Sequence, residues 1–199
     1  MINNQNNVTG VVLAGGLARR MNNQDKGLID YHNRPMVSYA VDAMAQVAST
    51  LFINANRNLA DYNQFGYKVI SDKTDSFDGP LAGVLSAMEQ SDTDILCVMP
   101  CDSPLIKANH LTQLIKALVD NNADIAVAFD GERLHPVFLA LKTSLQESLT
   151  QYLGQGDRKI DLWLSQHQLV KVDFSENPNI FLNINTLDEL IALESHKND

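Results

Sequence analysis

Cysteine occurs at only two positions, Cys97 and Cys101, in a chain of 199 residues. So few thiols exclude a disulfide-built scaffold, and without paired histidines nearby they do not make a zinc site. Cys97 lies in the apolar run Ile95-Leu96-Cys97-Val98-Met99 and reads as a small core residue, while Cys101 has the chemistry of a soft ligand but no companions for that role. Positive charge is also scarce. Against 24 Asp and Glu there are 15 Lys and Arg, a formal net charge of −9, whereas binding duplex nucleic acid calls for a broad basic face. No apolar run approaches the ~20 residues that span a bilayer, and no basic stretch leads into an apolar one as in a secretory signal. These absences argue against a nucleic-acid or membrane partner, and for a reducing, cytoplasmic location. Two common phosphate-binding signatures are missing as well. The P-loop needs Ser or Thr after its lysine, yet Gly27 follows Lys26, and Gly15-Gly16-Leu17-Ala18-Arg19-Arg20 does not fit G-x-G-x-x-G.

What remains is an ordinary globular composition, 45% hydrophobic and 20% charged, of a length that suits one domain with a full core. Its centre of interest is the stretch that follows Val8-Thr9-Gly10-Val11-Val12-Leu13-Ala14. That run is apolar, β-branched and without polar alternation, which predicts a strand buried on both faces of a parallel sheet. It ends at Gly15-Gly16, a pair that lets the backbone turn and approach a ligand with N–H groups free to meet an anion. Arg19, Arg20 and Lys26 follow, offset only by Asp25. Such a local excess of positive charge in an acidic protein points to a phosphate-rich ligand. The string from Leu13 to Lys26 resembles the L-A-G-G-x-x-x-R-M-G…D-K signature of nucleotidyltransferases that move a nucleoside monophosphate from a triphosphate to a phosphorylated acceptor. It departs at Asn22, where the pattern has glycine; asparagine is the other residue that best tolerates the left-handed region.

Strand and helix patterns then alternate. Leu28-Ile29-Asp30-Tyr31 reads as a short extended piece ending in a turn at His32-Asn33-Arg34. Pro35 suits the first turn of a helix striped by Val37, Ala40, Val41, Met44, Val47 and Ala48. Leu51-Phe52-Ile53 is a second strand, and a polar segment leads to a third, Tyr67-Lys68-Val69-Ile70. Pro80 opens a helix carrying Leu81, Val84, Leu85 and Met88, before a fourth strand from Ile95 to Met99 and a helix striped by Leu111, Leu114, Ile115 and Leu118. This order predicts a single-domain, doubly wound, Rossmann-like α/β fold with a mostly parallel sheet flanked by helices. Further on, Ile125-Ala126-Val127-Ala128-Phe129 and Val137-Phe138-Leu139-Ala140-Leu141 flank Asp130-Gly131-Glu132-Arg133-Leu134-His135-Pro136, which predicts an antiparallel hairpin or sheet edge in the second half. Leu145, Leu149 and Leu153 mark another helix, residues 169–174 a half-exposed strand, and Thr186 with Glu189 a capping box for a last helix over 187–194. Residues 1–7 read as a flexible tail, 8–120 as a nucleotide-binding half and 121–199 as an acceptor-binding half.

In such sheets ligands gather at the carboxyl ends of the strands. The first strand ends in Gly15-Gly16, the second in Asn54, the third at Asp72 and the fourth at Asp102, so small and polar residues collect along one edge. Turn and capping chemistry is the competing explanation for Asn54 and for Asp102. Backbone N–H groups near Gly15 and Gly16 suit the β- and γ-phosphates of a triphosphate, Arg20 forks onto phosphate oxygens, and Lys26 offsets charge growing at the α-phosphate. Asp102, in the restricted turn Pro100-Cys101-Asp102-Ser103-Pro104, is the candidate ligand for Mg²⁺, a hard cation that takes few carboxylates alongside substrate phosphates.

Asn54-Ala55-Asn56-Arg57, Asp72, Gly79-Pro80-Leu81-Ala82-Gly83, Pro100-Cys101-Asp102, Asp130 to Arg133 with His135-Pro136, and Asn183-Ile184-Asn185-Thr186 extend the likeness along almost the whole chain. Together they resemble the molybdenum cofactor guanylyltransferases. The resemblance implies transfer of GMP from GTP to molybdenum-bearing molybdopterin, with Leu13, Ala14, Gly15, Lys26, Asn54, Asp72 and Asp102 contacting GTP, Asp102 also holding Mg²⁺, and transient contact with other molybdenum-cofactor proteins. Gly79 and Gly83 admit a flat ring close to backbone, and Arg158, Lys159, Asn183 and Asn185 are the candidates for the acceptor. Arg158-Lys159 also reads as an exposed helix face, Asn185 as part of a turn, and His135 as a packed turn residue rather than a base. The alternatives are a molybdopterin cytidylyltransferase or sugar-phosphate nucleotidyltransferase on the same fold, a nucleotide-sugar glycosyltransferase, and a non-catalytic nucleotide sensor. Asp92-Thr93-Asp94 precedes the fourth strand, the wrong edge for a glycosyltransferase metal pair.

Overall fold

A computed structural model of the chain describes residues 7–14, 25–73 and 79–182. Strand β1 (Val8–Leu13) lies in the interior of a seven-stranded sheet, between β4 (Thr50–Asn54) and β6 (Ile95–Pro100) and parallel to both. Beyond β4 lies the short parallel strand β5 (Lys68–Ile70). On the other side, β8 (Leu134–Lys142) runs antiparallel to β6 and to β7 (Ile125–Phe129), and β9 (Leu169–Asp173) closes the sheet parallel to β7. The order is β5-β4-β1-β6-β8-β7-β9, so only β8 opposes its neighbours. Of the two forms expected for the second half, the hairpin is the one found: β7 and β8 meet through a turn at Asp130–Arg133, and β8 enters the sheet interior.

Both faces of this sheet are covered. On one, Val8, Val12, Ile53, Cys97, Met99, Ala126 and Ala140 pack under α1 (Met36–Ala45) and α4 (Ala108–Asp120), through Val37, Val41, Met44, Leu111 and Leu114. On the other, Val11, Phe52, Leu96, Val98, Val127 and Leu139 pack under α3 (Pro80–Glu89), α5 (Gln146–Gly154) and α6 (Ile160–Leu164), through Leu81, Val84, Leu149 and Trp163. Period-2 alternation along each strand therefore feeds two cores rather than one core and solvent, which is why the strands read as unbroken apolar runs.

Several boundaries differ from the sequence reading. Of the extended piece expected over Leu28–Tyr31, Leu28 instead ends a 3-10 turn (Lys26–Leu28) whose preceding Asp25 carboxylate accepts the Gly27 N–H, and only Asp30–Tyr31 (β2) is strand. It pairs with Arg34–Pro35 (β3) across His32-Asn33, both at positive φ, the backbone of a two-residue hairpin turn. Pro35 therefore precedes α1 instead of occupying its first turn. Within the polar segment after β4 there is a helix, α2 (Leu59–Asn63), pinned by the buried Tyr62. Of the tail expected over 1–7, residues 1–6 lie outside the described residues, as does the capping box at Thr186 and Glu189, while Asn7 is held by its side chain donating to Asp94. No helix among the described residues is long and apolar enough to cross a membrane.

Candidate active site

Chain direction reverses at β1: the path runs outward to β4 and β5 on one side, then returns to β6 on the other. At such a switch point the loops leaving adjacent strands diverge and leave a crevice beyond the carboxyl ends. The strand ends here are laced level with one another. Ala14 N–H donates to the Asn54 carbonyl at 2.8 Å, Cys101 N–H to Leu13 at 3.0 Å, and Ala55 N–H to Ile70 at 2.9 Å. Leu13, Ala14, Asn54, Asp72 and Asp102 thus share one edge, as expected. Asp94, by contrast, precedes β6 at the opposite edge.

Asp102 is 9% exposed. Its Oδ2 lies 3.3 Å from the Lys26 ammonium, and its Oδ1 is buried with no hydrogen-bond partner among the described residues. Burial raises the proton affinity of this carboxyl, and the Lys26 charge opposes that shift. An orphaned carboxylate oxygen next to a single ammonium is what a hard cation would complete, so the site fits Mg²⁺. Among the described residues no three His, Cys, Asp or Glu side chains gather as a protein-built cage, and a cation held by one carboxylate, phosphates and water needs none.

On the β4–β5 side, Asn54 donates to Asp72 Oδ1 at 2.9 Å, Asn56 donates to Asp72 Oδ2 at 2.7 Å, and the Asp72 N–H donates to Asn56 Oδ1 at 2.9 Å. The carboxylate is thereby fixed by two amides while each oxygen keeps a lone pair for a ligand. Gly83, on the first turns of α3, lies directly against Asn54: a Cβ there would come within 2.3 Å of the amide oxygen. Gly79 precedes α3 at φ +73° and ψ −168°, a conformation open essentially only to glycine, and a Cβ there would meet nothing. Two glycines that look alike in sequence therefore serve different ends.

Asp25 was not among the expected site residues, yet its side chain is 3% exposed, accepts from Tyr62 Oη at 2.5 Å, Asn58 Nδ2 at 3.0 Å and Gly27 N at 3.3 Å, and pairs with Arg57 Nε at 3.5 Å. The available signal was its place beside Lys26 at the end of the D-K signature. Burial pushes the Tyr62 phenol far above its ordinary range, with Cys101 and Asp25 adding to the shift, so the hydroxyl stays a donor. At the β7–β8 turn, His135 Nε2 lies 2.6 Å from Asp130 Oδ2 and its ring stacks on Phe181 at 4.1 Å, in keeping with a packed turn residue. Arg158 donates to the carbonyls of Leu153 and Asp157, and Lys159 caps α6; the pair is exposed, though in a connection rather than on a helix face. Gly15, Gly16, Arg20, Asn183 and Asn185 lie outside the described residues.

Comparison with known proteins agrees with this architecture. A molybdenum cofactor guanylyltransferase of Shewanella pealeana is 44% identical over 195 residues, covering 95% of this chain and 98% of its own. One from Shewanella sediminis is 44% identical over 182 residues, covering 92% and 93%. In fold, the chain resembles the crystal structure of molybdopterin-guanine dinucleotide biosynthesis protein A from Archaeoglobus fulgidus, with a TM-score of 0.80 at 21% identity over 94% of this chain and 97% of that one. Residues 10–171 match the MobA-like NTP transferase domain, and with relatives of this identity and coverage the chain belongs to that nucleotidyltransferase family, among its molybdenum cofactor guanylyltransferases.

Proposed function

We propose that this nucleotidyltransferase moves GMP from GTP to molybdenum-bearing molybdopterin, releasing pyrophosphate and forming the guanine dinucleotide cofactor. The observation that carries the reading is the buried, unbonded Oδ1 of Asp102 beside the Lys26 ammonium, set at the switch point of a family built for nucleotidyl transfer. An oxygen of the acceptor's phosphate attacks the α-phosphorus in line, and the bond to the bridging oxygen of pyrophosphate breaks. The attacking group is already ionised near neutral pH, so no general base is needed, and His135 has no proton to take. Catalysis then rests on positioning and charge. Lys26 offsets charge at the α-phosphate, Arg20 and the backbone of Leu13, Ala14, Gly15 and Gly16 receive the outer phosphates, and Asp102 holds Mg²⁺, which when bound neutralises phosphate charge.

Asp72 suits guanine. A carboxylate accepts from both the N1–H and the 2-amino group, a donor pair that cytosine lacks, and Asn54 and Asn56 hold it ready. Gly79, Asn183 and Asn185 are assigned to the acceptor, Gly83 to the packing of Asn54 on the nucleotide side, and residues 8–120 and 121–199 to the nucleotide and acceptor halves. The sheet joins those halves, since β8 pairs directly with β6. A cytoplasmic location and transfer of the acceptor from other molybdenum-cofactor proteins complete the reading. Its test is direct: the protein is incubated with Mg²⁺, molybdopterin and either GTP or CTP, and pyrophosphate is followed. Release with GTP is expected; release with CTP and not GTP would overturn the assignment.

A further inference from the structure

Lys26 stands in a short segment whose two neighbours are both fixed from outside it. On one side Asp25 is buried and bonded to Tyr62, Asn58 and Arg57, all from the segment between β4 and the end of α2. On the other side Gly27 has no room for a side chain: a Cβ would fall 2.6 Å from Tyr62 Oη and 3.1 Å from Cys101 Sγ. Tyr62 therefore touches both flanks of Lys26, and Gly27 also lies against Cys101, in the turn that carries Asp102. Asn54, the last residue of β4, and Asn56, at the start of the same connection, hold Asp72. One connection thus anchors the two carboxylates, Asp25 and Asp72, on which the nucleotide side of the crevice depends.

From this arrangement we infer that Tyr62 and Asp25 are positioning residues for Lys26, holding its ammonium at the distance from Asp102 where it serves the α-phosphate. The inference rests on the role proposed above for Lys26. A long lysine side chain carries much rotamer freedom, and its electrostatic contribution in the transition state depends on where its backbone is clamped. Neither Tyr62 nor Asp25 needs to touch GTP for this.

The experiment is a double-mutant cycle on GTP-dependent pyrophosphate release, with single turnovers at high enzyme concentration for the slow variants. Tyr62→Phe removes one hydroxyl and keeps the ring. It is expected to lower kcat about tenfold, the size of effect that follows loss of a hydrogen bond to a charged group, while KM for GTP stays within about twofold. In a Lys26→Ala background the same substitution is expected to cost almost nothing further, because the group it positions is gone. Equal fold losses in the two backgrounds would mean a general structural role and would overturn the inference, as would wild-type kcat in Tyr62→Phe. Thermal unfolding of each variant shows that it is folded, and Asp25→Asn takes the place of Tyr62→Phe if the latter does not fold. If Lys26→Ala itself turns over at the wild-type rate, the role of Lys26 fails and the inference with it, an outcome distinct from additivity.

Discussion

Buried polar atoms are almost always paired, and among the described residues Asp102 breaks that rule at one oxygen, the oxygen that the proposed function assigns to a cation and phosphates. Removing the charge should therefore cost function and spare the fold. Asp102→Asn is expected to slow pyrophosphate release by about 10²–10³-fold, with a urea midpoint equal to or above that of the parent, since a desolvated carboxylate is lost; kinetics and urea unfolding measured side by side check both halves. Asp130 presents the opposite case. Backbone N–H groups of Arg133 and Glu132, then His135, hold its carboxyl well below the ordinary carboxylate range. A depressed folded value gives stability that is present above the unfolded pKa of about 3.9 and is lost as pH falls through the folded value. The urea midpoint of the parent should exceed that of Asp130→Asn at pH 7, and the difference should shrink as the pH is lowered below about 4. At this scale Lys26, Asn54, Asp72 and Asp102 were readable as residues of a carboxyl edge, whereas Asp25 was not. Its sequence neighbours give no sign that a tyrosine thirty-seven positions on would bury it.

Elements were legible where many residues shared a period and obscure where a few were held by contacts from afar. The helix α4, with Leu111, Leu114, Ile115 and Leu118 on one face, follows from spacing alone. By contrast, α2 has five residues, begins after Asn58 in the left-handed conformation, and persists because Tyr62 is buried against the turn ahead of β2. Helix α3 bears on the site through Gly83 and through Gly79 just before it, and their substitutions should separate. Gly83→Ala drives a methyl into Asn54 and should destabilise by about 1–3 kcal/mol while raising KM for GTP, as the Asn54–Asp72 contact shifts. Gly79→Ala meets no atom but strains the backbone, at a cost of about 1–3 kcal/mol, and should leave KM for GTP closer to the parent. Urea unfolding and KM measurements on the two variants check the contrast.

For the whole molecule, the crevice lies where chain direction reverses around β1, so ligand binding should be felt by the entire sheet rather than by one loop. GTP with Mg²⁺ at about a hundred times its dissociation constant should add about 2.7 kcal/mol of stability, or roughly 5–10 °C in Tm, for a chain of this size. EDTA should remove most of that increment if Asp102 holds the ion, and in Asp102→Asn the EDTA-sensitive part should be absent; a thermal shift series checks this. By itself the sequence determined the alternation of buried strand and amphipathic helix, and with it a parallel sheet covered on two faces, because hydrophobic period is a local property of the chain. It also fixed which residues stand at the strand ends. Only the tertiary structure decided that β8 enters between β6 and β7, that Asn54 and Asn56 share Asp72, and that Tyr62 reaches back to Asp25. Those outcomes depend on contacts between residues far apart in the chain, whose free energy appears only when the sheet has closed and water has left the space between them.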